Sequence, residues 1–229
     1  MLFNSIKIAF CVTLLGLSQI RGQKPTDFVD LSATVPQLVV SLRYGTHKNF
    51  MGRVVQGYEN PIPLGTKALA EGLQCVQMEL AKKGLGLILY DSYRPQKAVD
   101  DFVVWSSQEK DTLMKSLYYP QQLKSELFAL GFIASQSGHS RGSTVDVGLV
   151  QWTEKGEYEL VDMGSPWDFF GPEATINYTF LSAEQRNNRM KLYEPMLACG
   201  FKPYAKEWWH FTLKNEPYPD TYFNFDLTP

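Results

Sequence analysis

Apolar positions recur with two different periods along the chain. Over 66–83 they fall three and four residues apart, at Leu69, Leu73, Val76 and Leu80, the stripe of a helix with one buried face. Thr66 stands where it can cap that helix, and Gly84 where it would end it. A second helix is expected over 96–106, because Pro95 suits a first helical turn. A short third, over 121–130, would turn Leu123, Leu127 and Leu130 inward and close at Gly131. The last, over 182–199, opens on a capping box of Ser182 and Gln185. It would bury Met190, Tyr193, Met196 and Leu197 and stop at Gly200. Elsewhere the pattern becomes short apolar or β-branched runs bounded by turn residues, at 38–44, 85–90, 144–150, 157–161 and 208–213. In the 144–150 run, alternation puts Val145, Val147 and Leu149 on one face of a half-buried strand, and Thr144, Asp146 and Gly148 on the other. Residues 23–36 read as an irregular lead-in, 45–63 as a long loop and 217–229 as a loop-like tail. Helices and strands do not alternate regularly enough for a doubly wound sheet. The expected fold is α+β, one domain with a central, mainly antiparallel sheet flanked by helices.

Composition narrows the picture. The chain has 229 residues, 44% hydrophobic and 20% charged, which suits a filled core and excludes a disordered chain. A net charge of −2 leaves no electrostatic footprint for nucleic acid. The N-terminus departs from this balance. Lys7 precedes an apolar run over 8–17, too short for the roughly 20 residues that span a bilayer. Small residues follow at Ser18 and Gly22. Residues 1–22 are expected to be a cleaved signal peptide, and a lipid-anchored Cys11 is the less favoured reading. The catalytic domain would then be 23–229, exported to the periplasm or the exterior, with no stable membrane insertion after cleavage. Cys75 and Cys199 would remain. In an exported protein they pair or stay as two buried thiols, and the sequence leaves both open. Neither belongs to a Cys-x-x-Cys pair, so cysteine ligation of a metal is not expected.

The candidate chemistry lies in two stretches. The first runs Ser137-Gly138-His139-Ser140-Arg141-Gly142-Ser143-Thr144-Val145-Asp146, a glycine-hinged loop leading into a strand. Asp146 is a lone carboxylate on an apolar strand, and burying it unpaired is costly. A metal shared with His139 would supply the partner. The second stretch is Glu207-Trp208-Trp209-His210. The chain has three histidines, and two of them fall in these stretches. His139, Asp146 and His210 make the kind of set a hydrolytic zinc site needs, three protein ligands with one position open. Glu207 is the spare carboxylate, placed to take a proton from water and return it to a leaving amine. Arg94, at the end of the 85–90 strand, would hold the oxyanion. In a regular strand Glu207 and His210 point to opposite faces. They can share a metal only if Glu207 lies on the turn before the strand or a bulge intervenes, and the turn is expected. The blander alternatives are a core tryptophan strand with His210 as a passenger, and a surface ion pair of Arg94 with Asp91 or Asp100. His47 is expected to be structural or on the surface.

These motifs resemble the zinc D-alanyl-D-alanine dipeptidases, relatives of the D,D-carboxypeptidases and of the hedgehog signalling domain. Asp91-Ser-Tyr-Arg94-Pro-Gln-Lys-Ala-Val, Met163-Gly-Ser, Tyr44-Gly-Thr-His-Lys-Asn-Phe and Asn215-Glu-Pro-Tyr-Pro-Asp-Thr-Tyr-Phe carry the likeness over 28–226. The resemblance implies a hedgehog-like or D,D-peptidase-like fold and one zinc ion per chain, on His139, Asp146 and His210. It implies Glu207 as general base and acid and Arg94 as transition-state stabiliser, with Asp168, Tyr44 and Ser137 contacting a small D,D-dipeptide. Gly138, Pro166-Trp167 and His47 depart from the family's pattern. The expected reaction is hydrolysis of D-Ala-D-Ala to two D-alanines. The alternatives are a D,D-carboxypeptidase acting on peptidoglycan stems and a non-catalytic zinc module. Glu207 and Arg94 speak against the last, since a structural zinc needs neither. Asp168 favours the dipeptide, since a carboxylate waiting for a free ammonium rejects a longer substrate.

Overall fold

A computed structural model describes residues 23–228, so the expected signal peptide lies outside the described residues. The lead-in is more ordered than its sequence suggests. It holds β1 (Phe28–Asp30) and α1 (Leu31–Thr34), with the Asp30 side chain accepting from the Ser32 N–H. Phe28 and Leu31 are both buried in the core, and tertiary packing makes these short elements where local propensity would not. The expected strand at 38–44 contracts to β2 (Val39–Val40), followed by a 3-10 turn at Arg43–Gly45. That turn drives the Tyr44 ring into the core. The long loop expected over 45–63 is present, and beyond Gly45 it contains no helix or strand.

β3 (Leu64–Thr66) leads into α2 (Lys67–Ala81), and β4 (Leu85–Asp91) into α3 (Gln96–Ser106). Thr66 caps α2 by accepting from the Leu69 N–H, and Gly84 beyond its end has φ +67°, a conformation that favours glycine. α3 has the expected bounds, with Pro95 as the residue that precedes its first turn. α4 (Lys115–Tyr118) follows. The helix expected over 121–130 is instead a 3-10 turn and α5 (Leu127–Leu130), closed by Gly131 at φ +81°. Of its three leucines only Leu127 is buried, while Leu123 is 59% exposed and Leu130 is at the surface. Lys124 turns inward instead. Its ammonium donates to the carbonyls of Trp105 and Gln108 at the end of α3 and lies 3.8 Å from the Trp105 ring centre.

β5 (Thr144–Trp152) is the middle of the sheet, followed by β6 (Tyr158–Leu160), α6 (Ala183–Ala198), β7 (Phe201–Tyr204) and β8 (Glu207–Leu213). The strand order is β2-β4-β5-β8-β7, with β6 also pairing with β5. Only β2 and β4 run parallel. The α+β expectation holds. β5 is not half-buried, however. Thr144 to Val150 are all buried, as is every residue of β4, because neighbours cover both faces of the sheet centre. On α6 both bonds of the capping box form. The buried face is Asn188, Arg189, Leu192, Pro195 and Met196, and of the residues expected inward only Met196 is fully buried. Arg189 displaces the apolar residues because it donates to the carbonyls of Met163, Glu173 and Thr175. No helix among the described residues is long and apolar enough to cross a membrane.

Two devices tie the elements together. Cys75 of α2 and Cys199 after α6 form a disulfide, with Cα atoms 5.8 Å apart across 124 residues of sequence. The C-terminal tail crosses the loops that follow β4 and precede β5. Gln96 donates to the Phe223 carbonyl, and the Phe223 N–H donates to the Ser140 carbonyl. A crosslink over so long a loop restricts the unfolded chain strongly. Replacing Cys75 and Cys199 by serine is expected to lower unfolding stability by about 2–5 kcal/mol. A denaturant titration checks this, and reductant should shift the parent protein and leave the double variant unmoved.

Candidate metal centre and active site

The sheet register assembles the site. Asp91 at the end of β4 pairs with Asp146 on β5, and Asp146 pairs with His210 on β8. Three side chains far apart in sequence therefore form one row across three adjacent strands. A register shift between Leu89 and Asp91 brings the first into line. His139 joins from the 3-10 turn at Gly138–Arg141, which Ser137 caps by accepting from the His139 N–H.

Three ligand-type atoms converge. His139 Nε2 is 3.2 Å from Asp146 Oδ1, His210 Nδ1 is 3.1 Å from the same oxygen, and the two ring nitrogens are 3.3 Å apart. His139 Nδ1 lies 2.7 Å from the Ser92 carbonyl. That carbonyl accepts an N–H, so the lone pair is left on Nε2 facing the trio. Atoms held about 2.0–2.1 Å from a tetrahedral zinc lie about 3.3 Å from one another. The donor types and the spacing of His139, Asp146 and His210 thus both fit a zinc ion. Burial pushes the Asp146 carboxyl up, but the two imidazoles outweigh it and hold the group below the usual carboxylate range. Burial lowers His139, keeping its ring neutral.

Glu207 stands beside the trio, its Oε2 3.5 Å from His210 Nδ1. It is the first residue of β8 and not part of a preceding turn as expected. The irregular pairing of β7 with β8 between Pro203 and Tyr204 lets Glu207 and His210 face the same site. Burial raises its carboxyl to about 7. Arg94 is neither a surface residue nor unpaired. Its Nε and Nη2 each lie 2.9 Å from Asp91 Oδ2, and the guanidinium lies 5.1 Å from the ring centres of Tyr44 and Phe102. Asp91 is fully buried and also accepts from the Tyr58 hydroxyl at 2.6 Å.

Asp146, His210, Glu207, Arg94 and Tyr44 line one cavity of about 290 Å³, together with Ser137, Asp168 and an aromatic wall that includes Phe50, Phe102 and Phe170. Asp168 is buried at φ +61° and accepts from the Tyr44 hydroxyl at 2.8 Å. Burial first, then the charge of Asp146, raises its carboxyl well above the ordinary value. Among the described residues it makes no salt bridge. Non-glycine residues at positive φ cost energy and cluster at functional sites.

Residues 24–228 match the peptidase M15 family, described as D-Ala-D-Ala dipeptidase. The chain belongs to this family. The D-alanyl-D-alanine dipeptidase of Enterococcus faecalis is 45% identical over 186 residues, 81% of this chain and 91% of its own. That of Streptomyces coelicolor is 42% identical over 201 residues, 88% of this chain and 98% of its own. That of Enterococcus faecium is 41% identical over 185 residues, covering 81% and 90%.

In this dipeptidase family member, the eight residues singled out in the sequence converge. Six of them line the cavity with Tyr44, and His139 stands against its edge through Asp146 and His210. His47 lies elsewhere, exposed, with Nδ1 3.0 Å from the Gly52 carbonyl. The sequence reading missed the role of Asp91, which appeared only as a surface partner of Arg94, and the contact of Trp167 with Asp146. The Asp-x-x-Arg spacing was the available signal for the first. The second had none.

Asp91 is what makes a buried Arg94 tolerable. Replacing Asp91 by alanine should destabilise the fold by about 3–5 kcal/mol, because the guanidinium loses its counter-charge in place. Denaturant unfolding measures the loss, and adding Arg94→Met in the same chain should recover part of it.

Proposed function

We propose that the protein is a zinc-dependent dipeptidase that hydrolyses D-Ala-D-Ala to two molecules of D-alanine. One observation carries the reading: a zinc-compatible trio borders one cavity, and a spare carboxylate, a braced guanidinium and a second buried carboxylate, which makes no salt bridge among the described residues, line it. The relatives named above supply the identity of the substrate. His139, Asp146 and His210 would hold the zinc. When bound there, zinc supplies a Lewis acid and lowers the pKa of water to about 7.

The chain's own groups do the rest. Glu207 takes a proton from the attacking water and delivers it to the amine nitrogen as the C–N bond breaks. Arg94, held in place by Asp91, stabilises the negative charge that develops on the carbonyl oxygen. Asp168, oriented by the Tyr44 hydroxyl, binds the free ammonium of the dipeptide, and Ser137 contacts the substrate at the cavity wall. The aromatic wall keeps solvent from these charges and strengthens their interactions. Asp168 also selects length, since a stem peptide would place an amide against a buried carboxylate.

Export is part of the proposal. The Cys75–Cys199 disulfide belongs to an oxidising compartment, and the apolar run behind Lys7 is the segment that would direct the chain there. Outside the cytoplasm the reaction suits salvage of cell-wall fragments.

Two experiments test the assignment. Glu207→Ala should retain stoichiometric zinc and lose turnover, whereas His210→Ala should lose both. Metal content measured beside activity decides, and loss of zinc from the first variant would move Glu207 into the ligand set. Asp168→Ala leaves a bound ammonium unpaired, about 3–5 kcal/mol for a buried pair. D-Ala-D-Ala cleavage should therefore fall several hundred-fold or more, at tenfold per about 1.4 kcal/mol. N-acetyl-D-Ala-D-Ala should be a poor substrate of the parent and lose much less in the variant. Equal cleavage of free and acetylated dipeptide by the parent would favour a D,D-carboxypeptidase.

A further inference from the structure

We infer that Trp167 is a positioning residue of the metal centre. Its indole N–H holds the outer oxygen of Asp146, so that the inner oxygen stays turned toward His139 and His210. The inference rests on reading that trio as the zinc ligands. Asp146 divides its two oxygens. Oδ1 faces both imidazoles, at 3.2 and 3.1 Å. Oδ2 faces Trp167 Nε1 at 3.4 Å and Arg94 Nη2 at 3.6 Å. The arginine is already engaged by Asp91 at 2.9 Å, and 3.6 Å exceeds hydrogen-bond length. The indole is therefore the group that hydrogen-bonds Oδ2, with the Arg94 charge beside it. Without it the carboxylate can turn about its Cβ–Cγ bond and spread its charge over both oxygens. Groups that hydrogen-bond a ligating carboxylate govern its orientation and tune metal affinity.

The indole is itself well fixed. It is 3% exposed, stacks on Tyr90 with ring centres 5.5 Å apart, and leans on Tyr44 at 5.0 Å. A buried indole N–H needs an acceptor, and Asp146 is the one it has. Its backbone has no regular secondary structure but is pinned on both sides. Arg189 donates to the carbonyls of Met163, Glu173 and Thr175, and the Phe170 N–H donates 2.7 Å to the Tyr118 carbonyl. The next residue, Asp168, adopts φ +61° and accepts from Tyr44. Consecutive side chains thus serve the two carboxylates of the cavity, one steering Asp146 and the other being Asp168 itself. The strained backbone at 168 is what turns them to different partners.

The test is zinc affinity, measured by competition with a chelator of known strength on the purified protein. Trp167→Phe keeps an aromatic ring and loses the donor. Zinc binding is expected to weaken by about tenfold to a hundredfold. Replacing Trp167 with 3-benzothienylalanine, which fills the indole's space without an N–H, should weaken it to a similar degree. Unchanged zinc affinity in both variants would overturn the inference. So would a loss confined to Trp167→Phe, which would assign the effect to packing alone. A parent protein that binds no zinc would overturn the metal-centre reading and this inference with it.

Discussion

Two carboxylates, Asp91 and Asp146, stand side by side on neighbouring strands at the buried centre of the sheet, and the surrounding structure answers that charge. Burial alone would drive both groups toward their neutral forms. Arg94 lies against Asp91 and near Asp146. His139 spans the pair, Nδ1 3.5 Å from Asp91 and Nε2 3.2 Å from Asp146. His210 closes the row from the next strand. One arginine does not balance two buried carboxylates. Burial would lower His210, but Asp146 outweighs it and holds the ring above the ordinary imidazole value, and a divalent cation between the imidazoles and Asp146 would complete the balance. The same electrostatic demand thus explains why Arg94 is buried and why the trio has metal-like spacing.

The site is precise because its parts sit on, or are bound to, rigid elements. Asp91, Asp146, Glu207 and His210 belong to strands at the centre of the sheet. The pieces that do not are held from outside. The tail bonds to Gln96, two residues after Arg94, and to Ser140, next to His139. Arg189 grips the segment that carries Trp167 and Asp168. The disulfide joins the helix bearing Arg189, at its far end, to α2. Residues remote from the cavity therefore set distances inside it. Two further carboxylates share the cavity with neutral-leaning character, Glu207 and Asp168. They differ in partners, one against an imidazole and the other against a tyrosine hydroxyl, which suits the different tasks proposed for them.

Much of this was legible in the sequence where the deciding interactions are local. The helical period and cap of α2, the capping box of α6, the apolar runs of β4, β5 and β8, and the glycine stops all act over a few residues, and each appeared where expected. Candidate site residues were legible because His, Asp, Glu and Arg stood among apolar or glycine-hinged neighbours that do not ordinarily hold them. What required the tertiary structure was everything set by contacts distant in sequence. β1 and α1 exist because the core accepts Phe28 and Leu31. The inward face of α6 was misjudged because Arg189 finds three carbonyls there, and Leu123 is outside because Lys124 reaches the end of α3. The cysteines pair because α2 and α6 meet. Above all, the row of Asp91, Asp146 and His210 is a fact of strand register, and the turn of Glu207 toward it is a fact of irregular pairing. Composition and spacing name the groups that can do chemistry. Only hydrogen-bonded register across the sheet, which no local pattern encodes, decides which of them touch.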